Sequence, residues 1–425
     1  KILAFCLANR IQSVISNIIN PGQVAYIKGR FIGNNIRLID DVIEYFKNSQ
    51  IGGVMMMLDF KKAFDSLEWN FLFSVLKLFN FGEMFISWIK TLYSKPVAYI
   101  KNNGFLSRPI ELGRSIRQGC PVSALLFIIA VEIMAIVIRQ NEDINGIQID
   151  GCDLSLKIVQ YADDGVIFCN DESELKKCIN LITEFGTMSG TKLNLCKCEG
   201  LWLGSFSNRQ KNCNLFNIKW PLEPIRCLGI YVGFDSENCF QLNWTRKINN
   251  ISLLLDSWRA RDLTLFGKVS ILKQLATPKL LYSASMLFTP DDIVKDVCAL
   301  FFKFLWGNKE YVKRSNVIAK KEQGGLNMID IESMFAAVKC SWAVRLINSA
   351  DTELWPIIAK NVYKLHENDY FMFKLHCTSV KKAPYFDKLS DFYKQVILSF
   401  NKAKCMTEDY FSQNIFDQPI WCNDL

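Results

Sequence analysis

IVQYADDGVIF, residues 158–168, is two short apolar runs broken by adjacent carboxylates and a glycine. Apolar residues on both sides of so short an interruption describe one buried strand turning into the next. Asp-Gly is a favoured hairpin tip, so turn chemistry alone accounts for Asp163 and Asp164 on one reading. The other reading is functional. Like charges packed at the mouth of a sheet repel one another, and a divalent cation relieves that repulsion when a third carboxylate can reach them.

A third carboxylate is available. Residues 54–58, VMMML, read as a short buried strand ending at Asp59, which places another acid where it can be desolvated and still meet solvent. Three oxygen donors on adjacent strands can hold two Mg2+ ions about 3.5–4 Å apart for in-line phosphoryl transfer, with Mn2+ as a substitute. Neighbouring side chains of an extended strand point to opposite faces, so Asp163 is expected to be the stronger ligand of the adjacent pair. Only two histidines exist, His366 and His376, and histidine-based metal or base chemistry has little to draw on.

Outward from these strands the pattern is mixed. In DSLEWNFLFSVLKLF (65–79) Leu67, Phe71, Leu72, Val75 and Leu76 recur at helical spacing, and Asp65 with Glu68 has the form of a helix start. Helix capping explains Asp65 fully on this reading. A second helix follows Gly82 through Phe85, Trp88, Ile89 and Leu92, and VAYIKNNGFLSRPIEL (97–112) reads as a hairpin turning at Asn103-Gly104. ALLFIIAVEIMAIVI (124–138) is the most membrane-like stretch, but it is short of the ~20 residues of a span and contains Glu132, so a buried core helix is expected. Strand, two helices, hairpin, helix and hairpin form an α+β order rather than a repeating βαβ. From Trp244 long helical patterns carry basic residues, and a boundary is expected near 235–243, where FDSENCF (234–240) lacks periodicity.

Composition sets the outer limits. At 425 residues, half of them hydrophobic, the chain can bury a large core divided over two or more domains. A net charge of +8 suits a polyanionic partner without identifying one. The 15 cysteines include no Cys-x-x-Cys pair, which favours reduced, packed thiols inside the cell over disulfides or zinc. The first residues, KILAFCLANRI, show no secretory pattern and no initiator Met, and the chain is expected to begin inside a larger reading frame.

LDFKKAFDSLEW (58–69), IRQGCPVSALLF (116–127), YADD (161–164), SGTKLNLCK (189–197) and LGIYVG (228–233), in this order, resemble the palm motifs of reverse transcriptases. More narrowly they are similar to those of non-LTR (LINE-type) retrotransposons. The upstream LANRI and QVAYIKGRFIGNNI, and the downstream LTLFGKVSILKQLATPKLLY, FLWGNK and KKEQGGLNMID, extend the likeness over most of residues 1–345.

The resemblance implies a right-hand polymerase. Partial fingers would occupy 1–53, the catalytic palm 54–238, a helical thumb 239–305 and a mostly helical C-terminal region of unassigned role 306–425. Asp59, Asp163 and Asp164 match the family's metal-binding acids, and Lys197 the lysine proposed to protonate leaving pyrophosphate. Phe64 falls at the aromatic gate against ribonucleotides; a core aromatic is the plain alternative. Gln118 and Gly119 match the loop that contacts incoming nucleotide and template, against a simple loop-to-helix turn with Pro121 at the first helical position. Tyr161 belongs to the same substrate site. Arg246, Lys247, Arg259, Arg261, Lys268 and Lys273 of the thumb, and the basic run KEYVKRSNVIAKK (309–321), are candidate phosphate contacts, with a solvated helical face as the equal alternative.

The implied partners are an RNA template, a DNA primer or target, dNTPs and the element's own RNA, with no membrane. The implied location is an intracellular ribonucleoprotein, nuclear or cytoplasmic. The fingers' nucleotide-clamping residues would precede residue 1, and whether Lys28 and Arg30 replace them is open. The rival reading is a truncated or co-opted retroelement piece that binds nucleic acid without polymerising. A group II intron maturase shares the palm but fits FLWGNK…GGLNM poorly.

Overall fold

The computed structural model describes residues 1–365 and 386–406 apart from 48, 208, 210–214, 222–223, 308 and 350–352; His366, His376, Tyr370 and Phe371 lie outside them. Contacts divide the chain into one unit of Lys1–Leu228 with Thr352–Ile358, and a second of Gly229–Asp351 with Ala359–Leu425.

The first unit is organised by a four-stranded antiparallel sheet: β1 (Gly52–Met57), β2 (Ile158–Tyr161), β3 (Asp164–Cys169) and β4 (Glu199–Gly204), in spatial order β4-β1-β3-β2. Val54, Met55 and Met56 are fully buried, which explains why VMMML is a continuous apolar run rather than an alternating one. Helix Ile32–Lys47 packs against β2 and β4. Helices Ser123–Gln140 and Glu172–Ser189 pack against β2 and β3 respectively and belong to the same core. The apolar helix Ser123–Gln140 is the only one among the described residues long and apolar enough to cross a membrane, and two-thirds of it lies inside the protein. Its Glu132, 1% exposed, is held by Arg139 and by the backbone N–H of Asn20.

Local signals place most elements of this unit. Asn103 and Gly104 both have positive φ (46° and 87°) between strands Lys101–Asn102 and Phe105–Leu106, the tight turn that dipeptide favours. Two expectations fail. Asp65 lies inside a short helix, Ala63–Ser66, and caps nothing, because Lys62 at φ 48° already makes that entry and the next helix starts at Trp69 after Glu68. Helix Ser123–Gln140 starts two residues after Pro121, which therefore sits in the preceding turn and not at a first helical position.

In the second unit FDSENCF holds a capped helix start rather than an aperiodic stretch. Asp235 accepts the N–H of Asn238 at 2.9 Å and opens helix Ser236–Phe240, which runs through a π-helical segment, Gln241–Thr245, into Arg246–Arg259. Helices Arg246–Arg259, Thr277–Met286, Asp291–Trp306 and Ile331–Asn348 then share a core around Trp244, Leu255, Leu280, Phe301 and Phe335.

Candidate active site

Three strand ends deliver the acids. Asp59 follows β1, where the Leu58 N–H donates to the carbonyl of Gly165 in β3 at 2.8 Å. On its other side the Asp59 carbonyl accepts the Asn194 N–H at 2.7 Å, and the Asp59 N–H points to the Cys198 sulfur at 3.4 Å. The Asn194 amide then donates to Asp59 Oδ2 at 3.0 Å. One backbone position is thus fixed from β3 and from the loop before β4.

Tyr161 pairs with Asp164 across β2 and β3, so the tip of the hairpin is Ala162-Asp163 rather than Asp164-Gly165. Ala162 takes φ 57°, a conformation L-residues with a Cβ adopt at a cost of ~1 kcal/mol or more. Gln23 compensates. It is 2% exposed, its Oε1 accepts the Ala162 N–H at 2.9 Å, and its Nε2 donates to the Ala162 carbonyl at 3.3 Å. The segment that carries Gln23 runs parallel to β2, with Gln160 N–H to Gly22 O at 2.8 Å and Val24 N–H to Gln160 O at 3.1 Å. Buried Asn35 donates to both Gln160 O and Gly22 O. QVAYIKGRFIGNNI is therefore the buttress of the acidic hairpin.

Loss of water holds the Asp163 carboxyl above its ordinary range, and the charge of Asp59 adds to the rise. Asp164 is the more exposed, yet partial desolvation is again the largest cause of its upward shift, followed by Asp163 and Asp59. Tyr26, whose ring centroid is 6.4 Å from that of Tyr161, is pushed up by burial, then by Tyr161 and the two acids. Asp59 bears on both acids of the hairpin, but among the described residues no three His, Cys, Asp or Glu side chains converge closely enough to hold a metal. Hard carboxylate oxygens, two of them reluctant to ionise unaided, fit a divalent cation that supplies the missing positive charge.

The remaining candidates divide. The Phe64 ring stacks on Phe127 of the core helix, centroids 4.0 Å apart at 16°, so one face belongs to the core. The Phe64 carbonyl accepts the Ile116 N–H at 2.8 Å and ties this residue to the loop leading to Gln118 and Gly119. Gln118 and Gly119 are exposed, and Gly119 at φ 76° has open space where a Cβ would stand, so its conformation requires glycine while crowding does not. Lys197 is exposed on the turn between Asn194 and Cys198, and among the described residues no ion pair or hydrogen bond joins its ammonium to the acids. Arg30 does not replace a nucleotide clamp: its guanidinium is spent on the backbone carbonyls of Ser16, Ile19, Asn20 and Gln23.

In the second unit several expected phosphate contacts have internal partners. Lys268 donates to the Leu305 carbonyl at 3.0 Å, Arg259 pairs with Asp256 at 2.9 Å, and Arg261 lies over the Trp258 ring. Arg314 of the basic run is held by Glu310, while Lys309, Lys313, Lys320 and Lys321 remain exposed. In LGIYVG, Asn243 clamps Tyr231 as Gln23 clamps Ala162, accepting its N–H at 2.9 Å and donating to its carbonyl at 2.7 Å.

Comparison with known proteins finds relatives among retrotransposon proteins. The chain is 25% identical over 370 residues to a transposon TX1 149 kDa protein of Xenopus laevis, covering 87% of this chain and 28% of that protein. It is 24% identical over 192 residues to the Pol polyprotein of the type-2 retrotransposable element R2DM of Drosophila melanogaster, covering 45% of this chain and 18% of that one. Among solved structures, telomerase from Candida tropicalis in complex with a fragment of telomeric RNA aligns over 85% of this chain and 57% of its own, with TM-score 0.40 and 13% identity. Residues 1–232 match the family described as reverse transcriptase (RNA-dependent DNA polymerase), and the chain belongs to that family.

Proposed function

We propose that this chain is the polymerase core of a non-LTR retrotransposon enzyme, adding dNTPs to a primer 3′-hydroxyl on an RNA template inside the cell. The observation that supports the reading is the placement of Asp59, Asp163 and Asp164 at the ends of three neighbouring strands, near enough that the charge of Asp59 raises the cost of ionising each acid of the hairpin. Asp59 and Asp163 would be the primary holders of Mg2+, with Asp164 assisting. The bound ions would activate the attacking hydroxyl and stabilise the leaving pyrophosphate. The protein's own residues do the rest. Asn194 and Cys198 orient Asp59, Gln23 holds the hairpin tip, and the exposed Gln118-Gly119 loop offers backbone to nucleotide and template.

The test is Mg2+-dependent extension of a DNA primer on an RNA template by this chain and by its Asp163→Asn variant. Extension that disappears in the variant supports the reading. Template–primer binding without extension by either protein overturns it for this chain and leaves a nucleic-acid-binding piece.

A further inference from the structure

The hairpin before the Gln118-Gly119 loop carries apolar surface that nothing in its own unit explains. Every residue from Tyr99 to Glu111 is exposed. Tyr99 is 52% exposed, Ile100 62%, Phe105 78% and Leu106 65%. Two short ladders hold the arm together, Val97–Ala98 against Ile110–Glu111 and Lys101–Asn102 against Phe105–Leu106. A two-stranded hairpin is marginal in water by itself, and so large an apolar display on one marks a contact surface.

Charge selects the occupant. Lys95, Lys101, Arg108 and Arg114 are exposed on the arm and its stem against a single acid, Glu111, and among the described residues none of the four forms an ion pair. Interfaces between proteins deplete charge at their apolar centres, whereas single-stranded nucleic acid is bound by aromatic rings interleaved with cations. Duplex hides its base faces; an unpaired strand offers them. We propose that this arm binds single-stranded nucleic acid, Tyr99 and Phe105 stacking on bases and Lys101 and Arg108 following the phosphates.

Placement supports this occupant. The C-terminal stem of the arm is bonded to the segment that bears Phe64, with Ser115 N–H to Leu67 O at 3.0 Å and Trp69 Nε1 to Ser115 O at 2.7 Å. From there the chain runs directly into Arg117, Gln118 and Gly119. A strand held by the arm is thereby kept beside the loop read as facing the template, a step that rests on the proposed polymerase reading although binding by the arm does not.

The experiment is equilibrium binding of the whole chain to labelled, unstructured rU and dT oligonucleotides and to a blunt duplex, at several salt concentrations. Tyr99→Ser with Phe105→Ser should weaken single-strand binding at least tenfold and leave duplex binding within twofold. Lys101→Gln with Arg108→Gln should reduce the salt slope by about 1.4, the value for two lost phosphate contacts on a single strand. These positions are exposed, so the variants should keep the wild-type melting temperature. Equal single-strand binding by wild type and both variants overturns the proposal. So does selective loss, in the aromatic variant, of binding to anionic vesicles or of self-association with oligonucleotide binding intact. Primer extension is measured in parallel: its absence with arm-dependent binding retained removes the polymerase reading alone.

Discussion

Gln23 grips Ala162 from a distance of 139 residues in sequence, closing one hydrogen bond to its N–H and another to its carbonyl. Ala162 is the left-handed corner next to Asp163, and it is buried. Gln23→Ala would strand both backbone groups, at a cost of ~1–3 kcal/mol for the pair after local relaxation. The expected result is a fall in melting temperature of about 4–8 °C, the shift that ~2 kcal/mol produces in a unit of this size. The gain in melting temperature on adding Mg2+ should shrink as well, because the freed turn no longer presents Asp163. A variant with full Mg2+ stabilisation would show that the turn holds its form without Gln23.

The raised carboxyls make a pH prediction whose sign is opposite to that of a salt-bridged acid. Asp163 and Asp164 bind a proton more readily folded than unfolded. Their contribution is fully present below the ordinary value of 3.8 and is lost as pH rises through the elevated folded values. Metal-free protein should therefore lose stability over that rise, and Asp163→Asn should lose less. At neutral pH the variant should melt above the wild type without metal and below it in saturating Mg2+. Thermal melts over a pH series with chelator, then with Mg2+, check both halves.

How legible this was depends on the range of the interaction. The Asn103-Gly104 turn and the buried run VMMML are local patterns, and both stand in the structure as read. The acids were legible through motif order rather than through spacing, because Asp-Gly chemistry alone pointed to a turn two residues too late. Gln23, Asn194 and Asn243 were missed as functional residues. A buried amide has no periodicity, and its meaning lies in a partner set by the fold; the single hint was that Gln23 and Asn194 fall within stretches already matched to the family. Asp65 and Asp235 err in opposite senses: the first has the form of a cap and is not one, the second caps a helix inside a stretch that looked aperiodic.

Asn243 offers the equivalent test in the second unit. It is 2% exposed and lies in the π-helical segment, where a widened turn is often retained for function. Asn243→Ala removes both bonds to Tyr231, and the expected loss is again ~2 kcal/mol. Hydrogen exchange should locate it: the Tyr231 amide loses protection by tenfold or more, while amides in helix Ile331–Asn348 keep theirs unless the whole unit opens. Unchanged protection at Tyr231 would mean that water or a neighbouring group replaces the amide.

Phe64 separates a gate from a core ring by measurement. One face of its ring is covered by Phe127, so Phe64→Ala must cost some stability, about 2 kcal/mol for a ring that is only partly buried. A ring that serves the core alone would give no more than that. A ring that also bars the sugar 2′-hydroxyl should, when cut back to Ala or Val, raise incorporation of ribonucleotides relative to deoxyribonucleotides at least tenfold. The deciding quantity is the ratio of kcat/KM for the two nucleotides, measured below the melting transition of the variant. General loss of folding lowers both rates together and leaves that ratio fixed. A ratio that does not move assigns Phe64 to the core, and a ratio that rises while the variant stays folded assigns its free edge to the sugar.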